Sequence, residues 1–275
     1  MAKLTAQTNS ILALGRRLRV ARWNFSDSAG SKRPLLVFGG IGLNLELLEP
    51  VATALGNRPV VSFDMPGVGQ SPDPLVPYTA ATMALTAQAV LDRMGIDKVD
   101  LLGISWGGGI AQQFALQHRN RVGRLVLAAT SAGMAMAPGD PRMLARLADP
   151  AEYTVPKALQ RNLAMLYAGG GETPVSLNAV TPPSPAGFVY QLGALAGWSS
   201  VAMLPLLDMP TLVMAGDDDQ VVPPVNAQFL HTLIPGSRLE MFAGGGHLFM
   251  LSHLVEFAAT LEAFLDADGA PAAPA

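Results

Sequence analysis

From Leu35 onward the chain alternates short, mainly apolar runs with longer stretches whose apolar residues recur at helical spacing. Leu35–Phe38 ends at Gly39 and Gly40, Val60–Phe63 at Asp64 through Gly67, and Val99–Leu102 at Gly103. Leu125–Ala128 ends at Ala129 through Ser131, Thr211–Ala215 at Gly216, and Leu239–Phe242 at Ala243 through Gly246. A strand with one wet face alternates apolar and polar residues. Continuous runs closed by glycine or proline therefore predict strands of a parallel sheet covered on both faces. Between them, Tyr78–Met94 and Trp106–Gln117 carry apolar residues at the spacing of covering helices. Strand alternating with helix predicts an α/β fold, a mostly parallel, doubly wound sheet with right-handed crossovers. Ahead of it, Ile11–Leu14 and Leu18–Trp23 flank Gly15, Arg16 and Arg17 and read as an antiparallel hairpin at the sheet edge.

The rhythm breaks between Met134 and Leu207, where no strand is evident. That stretch holds several helical patches, the run Gly169–Gly171 and a cluster of Pro182, Pro183 and Pro185. An insertion leaving and rejoining a sheet between two strands reads as a helical cap. The expected organisation is a core of residues 1–133 and 208–265, a cap of residues 134–207, and a disordered tail of residues 266–275 rich in Ala and Pro.

Composition narrows the chemistry. Half the residues are hydrophobic and only 14% are charged, yet no run approaches the roughly 18 apolar residues of a membrane span. With a net charge of −3 and no long basic cluster, no nucleic-acid partner is expected. The densest basic patch, Arg16, Arg17 and Arg19 around Leu18, alternates as an exposed strand face would. The absence of cysteine excludes disulfides and thiolate nucleophiles. The first residues lack the apolar core and cleavage site of a signal peptide, so the expected location is the cytoplasm. Oligomeric state is not fixed by any of this.

The strongest chemical signal is Gly103-Ile104-Ser105-Trp106-Gly107, with a predicted strand before it and a predicted helix after it. This is the nucleophile elbow G-x-S-x-G, in which a sharp strand-to-helix turn lifts the serine hydroxyl above the sheet. With its context the motif resembles the α/β-hydrolase superfamily. Relatives that cleave carbon–halogen bonds or epoxides carry aspartate at the elbow, so Ser105 points to acyl chemistry. Gly40-Ile41-Gly42 also follows a strand, but Leu45 occupies the third glycine position of a dinucleotide fingerprint. No phosphate loop and no closely spaced His/carboxylate ligand set occurs either, so neither cofactor nor metal is expected.

A hydroxyl is a poor nucleophile at neutral pH and needs a base, which an acid must orient. After strand Thr211–Ala215, three carboxylates are available: Asp217, Asp218 and Asp219. The resemblance implies Asp219, which matches the superfamily spacing to Gly216 and to Val222-Pro223. It also implies His247, in the glycine-rich loop after the last strand, as the base. His118, His231 and His253 read as structural or surface residues. The backbone N–H groups of Trp106 and Ile41 are the implied oxyanion donors.

A narrower resemblance runs through residues 35–265. Leu35–Leu47, Phe63–Gly69, Gly103–Ala115, Leu125–Gly133, Gly197–Ser200, Thr211–Asp219 and Gly246–Phe249 are similar to intracellular depolymerases of medium-chain poly(3-hydroxyalkanoates). The resemblance implies hydrolysis of esters between 3-hydroxy fatty acids through an acyl-enzyme on Ser105. The implied partners are a small-molecule or polyester substrate and the surface of a hydrophobic storage granule. Gly40 and Trp198 are expected at the substrate. Met134, Met136, Met143, Met165 and Met203, with Leu163 and Leu166, supply residues for an adaptable apolar cleft. The alternatives are a small-molecule esterase, lactonase or carbon–carbon bond hydrolase using the same triad, or a non-catalytic granule coat.

Overall fold

The computed structural model describes residues 5–25, 32–155, 157–159, 161, 166 and 181–267. One eight-stranded sheet runs in the order β1-β2-β4-β3-β5-β6-β7-β8. Its strands are β1 (Gln7–Ala13), β2 (Arg16–Trp23), β3 (Leu35–Phe38), β4 (Val60–Phe63), β5 (Val99–Ile104), β6 (Val122–Ala128), β7 (Thr211–Gly216) and β8 (Arg238–Phe242). The hairpin β1–β2 is antiparallel and joins the sheet antiparallel to β4, while every later pairing is parallel. The expected fold class is therefore the observed one.

Alternate residues of each strand point to opposite faces, and along β3, β4, β5 and β7 both faces are dry. On one face Leu36, Phe38, Leu101, Leu125 and Val213 meet α2 (Ala80–Arg93), α3 (Trp106–Gln117) and a later helix, Val225–Leu233. On the other face Leu35, Val37, Leu102, Val126 and Met214 meet α1 (Leu45–Ala54) and the C-terminal helix Leu254–Leu265. Two cores on one sheet explain why its strands read as continuous apolar runs. Each fully buried Leu, Val or Phe contributes about 1.5–3 kcal/mol through water removed from its surface.

The insertion between β6 and β7 contains α4 (Pro141–Ala148), α5 (Pro150–Thr154), α6 (Pro185–Ala194) and a 3₁₀ segment, Val201–Leu206. Prolines begin each α-helix, where a missing N–H costs nothing, and Asp140, Asp149 and Ser184 cap the free amides. The insertion closes on the core at its neck. Gly133 bridges Ser199, the Met134 amide donates to Trp198 O (3.0 Å), and Ser200 Oγ donates to Gln112 Oε1 (2.6 Å). Helix α6 seats its first turn on the loop after β4, where the Ser184 amide donates to Gly67 O (2.8 Å). The glycines at 67 and 187 meet backbone to backbone there, with no room for a Cβ on either. Beyond β7 follow α7 (Val225–Leu233), α8 (Phe249–Ser252) and α9 (Leu254–Leu265).

Two expectations change. The basic patch is not a uniformly exposed face: Arg19 turns inward to Glu46 (2.9 Å) and to buried Asp64 (3.2 Å). Asp266, at the start of the expected tail, pairs with Lys32 (2.8 Å) and with the buried Arg58. The tail beyond Ala267, like Gly169–Gly171, lies outside the described residues.

Candidate active site

Ser105 sits between the end of β5 and the start of α3 with φ 53° and ψ −123°, a conformation costly for a residue with a Cβ. Three hydrogen bonds hold it there. Its amide donates to Ala128 O (2.8 Å), and its carbonyl accepts from the Gly108 amide (2.9 Å) and the Thr130 hydroxyl (2.6 Å). The turn requires its flanking glycines for lack of space. A Cβ on Gly103 would lie 2.6 Å from Ala111 Cβ, and one on Gly107 would lie 2.5 Å from Gly39 O. The hydroxyl is left at the amino end of α3, where the helix dipole favours negative charge.

The expected acid and base, Asp219 and His247, arrive from the far half of the sheet. Asp219 follows β7 and His247 follows β8, at the same carboxyl end of the strands as Ser105. The two loops are laced together by the Asp217 amide on Phe242 O (3.1 Å) and the Asp218 amide on Gly245 O (3.0 Å). His247 Nε2 lies 2.8 Å from Ser105 Oγ, and its Nδ1 lies 2.8 Å from Asp219 Oδ2. Asp219 is buried, and its other oxygen accepts from the amides of Val221 (2.8 Å) and Val222 (2.9 Å). Both carboxylate oxygens are thus occupied, which fixes the carboxylate plane and with it the imidazole.

The competing residues stand elsewhere. Asp217 Oδ1 accepts from the Gly244 amide (2.6 Å), and Asp218 Oδ1 from Gln220 Nε2 (2.9 Å). His118 stacks on Phe114 at 4.8 Å and burial pushes its pKa down, while His231 contacts Ser237 (2.9 Å). His253 contacts Ser252 Oγ (2.9 Å) and Ala243 O (3.2 Å).

Ser105 and His247 open into a cavity of about 490 Å³. The expected contact residues Gly40, Ile41, Trp106 and Trp198 line it, as do Met134, Met136 and Leu166. Met143 does not line the cavity but packs against the second core cluster, and Met203, in the 3₁₀ segment, is not among the lining residues either. Leu163 and Met165 are outside the described residues. The remaining wall is apolar, from Leu144, Leu147, Leu192, Leu195, Val221 and Val222. Neither the Ile41 nor the Trp106 amide makes a hydrogen bond within the described residues.

The loop bearing Ile41 is a type II turn. The Leu43 amide donates to Gly40 O (3.1 Å), and Gly42 at the third position has φ 69°. Sequence reasoning missed what supports it. Gln191 of α6, fully buried, accepts from the Gly42 amide through Oε1 (3.0 Å) and from the Trp106 indole through its main-chain oxygen (2.7 Å).

The model for the α/β hydrolase fold matches residues 33–254. The chain belongs to the α/β-hydrolase family. A poly(3-hydroxyalkanoate) depolymerase of Ectopseudomonas oleovorans is 39% identical over 238 residues, covering 84% of each chain. A 2-hydroxymuconate semialdehyde hydrolase of Pseudomonas putida is 30% identical over 276 residues, covering 92% of this α/β hydrolase and 94% of the relative. Among solved structures, an esterase from Exiguobacterium antarcticum aligns at a TM-score of 0.80 and 25% identity, over 95% of this hydrolase and all of the other chain. This α/β hydrolase is thus a hydrolytic enzyme that resembles the poly(3-hydroxyalkanoate) depolymerases. No helix among its described residues is long and apolar enough to cross a membrane.

Proposed function

We propose that this hydrolase cleaves esters of 3-hydroxy fatty acids, as oligomer or polymer, through an acyl-enzyme on Ser105. The observation that carries the reading is the unbroken chain Ser105 Oγ–His247–Asp219, each link 2.8 Å, at the floor of an apolar cavity of about 490 Å³. Likeness to the Ectopseudomonas depolymerase supports the substrate class.

In this reading His247 Nε2 takes the Ser105 proton as Oγ attacks the ester carbonyl. Asp219 holds the Nδ1–H tautomer and stabilises the imidazolium. The carbonyl oxygen becomes negative and is met by the N–H groups of Ile41 and Trp106, which have no partner among the described residues to give up. The tetrahedral adduct then expels the alkoxide, which takes the proton from His247 and leaves as the alcohol. Water repeats the cycle on the acyl-enzyme and releases the acid. Gly40 and Trp198 contact the substrate, and residues 134–207 act as the cap that keeps bulk water from it. Exposed Met134 at the cavity offers an apolar lip to a polyester surface.

Intact mass after fluorophosphonate treatment tests the nucleophile. One adduct is expected on the native chain and none on Ser105→Ala; an adduct that survives the substitution overturns the assignment. A second reading, hydrolysis of a small ester, lactone or carbon–carbon bond, is favoured by likeness to the semialdehyde hydrolase. Turnover of 3-hydroxyalkanoate oligomers against aryl esters separates the two. Rapid aryl-ester cleavage with no oligomer turnover selects the second.

A further inference from the structure

We infer that Gln191 is a positioning residue that makes the oxyanion donors depend on the seating of the cap. The inference rests on the serine-hydrolase reading above and concerns a residue that is not itself part of the cavity lining.

Gln191 lies in α6, in the insertion, yet both of its hydrogen bonds end on core residues beside the two amides assigned to the oxyanion. Its side-chain Oε1 accepts the Gly42 N–H, which belongs to the central peptide of the type II turn Gly40–Leu43. Types I and II differ by a flip of that peptide, so an acceptor on the Gly42 N–H selects one of the two forms. The Ile41 amide is one peptide upstream. Its peptide shares the Gly40 carbonyl that receives the Leu43 N–H, so its direction is set by the same turn. On the other wall, Gln191 O accepts from the Trp106 indole at 2.7 Å and fixes the residue whose amide is the second donor.

A simple packing role accounts poorly for this arrangement. Gln191 is fully buried, and its Nε2 has no hydrogen-bond partner among the described residues. Burying an unpaired amide donor is unfavourable, and an apolar residue of the same length would fill the space without that cost. What such a residue lacks is the acceptor for Gly42. The cap is separately pinned to the core by Ser184 on Gly67, at the start of the same helix. When α6 is seated, the turn and the indole are clamped together. When α6 lifts to admit a chain, both ties are released at once.

The test is Gln191→Met, which keeps length and volume but removes the acceptor. Turnover of a short aryl ester is measured per serine titrated with fluorophosphonate, so that loss of folded enzyme does not count as loss of rate. The affinity of a trifluoromethyl ketone is measured in parallel, because its adduct on serine carries an oxyanion that needs the same two amides. The expected result is a 10- to 100-fold fall in kcat per titrated serine, in the range for a misaligned donor. The ketone should weaken by a similar factor while KM for the short ester changes less than threefold. A role confined to stability would lower Tm and leave kcat per serine and ketone affinity as in the native enzyme; that outcome overturns the inference. If Gln191→Met does not fold, Trp106→Phe removes the other tie while keeping the residue 106 amide. It must then show the same loss of kcat and ketone affinity, and native values would overturn the coupling. Failure of the serine-hydrolase reading is distinguishable, since in that case the native chain takes up no fluorophosphonate.

Discussion

Replacing Gly107 by alanine puts one methyl group against the most sensitive contact in the proposed site. The added Cβ would lie 2.5 Å from Gly39 O and closer still to Phe38 O, both main-chain atoms with no rotamer to yield. Reaching ordinary contact at 3.4 Å from Gly39 O alone requires a displacement of about 0.9 Å. What moves is either the start of α3, carrying the Trp106 amide, or the segment leading into Gly40 and Ile41. Either way the two donors separate. A misplacement of about 1 Å costs about 10²-fold, and loss of one oxyanion donor about 10²–10³, or roughly 3–4 kcal/mol of barrier. Overpacking costs about 1–3 kcal/mol of stability, partly offset by up to about 1 kcal/mol for alanine over glycine in a helix. The assay is kcat and KM on a short aryl ester per titrated serine, with a thermal melt on the same sample. Gly193→Ala is the control: Gly193 is exposed near the end of α6, and nothing lies within 4 Å of its added Cβ. That variant should melt slightly higher and keep native kinetics. Gly107→Ala with kcat within threefold of native and an unchanged melt would refute the placement of the oxyanion donors on these two segments.

Two further outcomes follow from the geometry. Asp219→Asn keeps the shape but can turn an N–H toward His247 Nδ1, favouring the wrong tautomer; kcat should fall by about 10⁴ with a nearly native KM, and native kcat would remove Asp219 from the mechanism. Asp64, buried beneath the turn before α1, has its pKa pushed up to about 6 by burial, against the pull of the Gln70 and Leu45 amides and Arg19. A raised carboxyl pKa contributes stability that is present below its unfolded value of 3.8 and lost as pH rises through about 6. Urea unfolding from pH 4 to 7 should show the native chain losing roughly 3 kcal/mol relative to Asp64→Asn. Parallel pH profiles for the two proteins would show that Asp64 does not titrate in that window.

The parts legible in the sequence are those where one local rule governs. β3 and β4 match their predicted runs residue for residue, because a strand buried on both faces selects apolar residues almost throughout, the exception Ser62 donating its hydroxyl to Val37 O (2.8 Å). The elbow is legible because Ser105, Gly103 and Gly107 satisfy a steric demand that few other residues meet. β5 runs on to Ile104, past the expected stop at Leu102, because Gly103 and Ile104 continue the parallel ladder to Leu127 and Ala128. β1 begins at Gln7, well before Ile11; as an outermost strand it exposes most of its residues, so Gln7 to Ser10 carry no apolar signal. Choosing among Asp217, Asp218 and Asp219 took superfamily spacing, and the choice is visible in space as the carboxylate that turns inward to His247. Gln191 could not be read at all. Its bond to Gly42 spans 149 residues, and nothing in the composition of α6 marks a glutamine that will face the core.

The proposed nucleophile and base are 142 residues apart in the chain, with the whole insertion between them. Synthesis runs from the amino end, so a nascent chain carries Ser105 and its elbow long before His247 exists. Strands β7 and β8 must also be laid down, in that order, beside β6 before Asp219 and His247 reach the serine. On the proposed mechanism the half-made protein on the ribosome is inert toward esters, and any truncation ahead of residue 247 yields an elbow without its proposed base. In such fragments fluorophosphonate should fail to mark Ser105, which makes the reagent a reporter of completed synthesis as well as of chemistry.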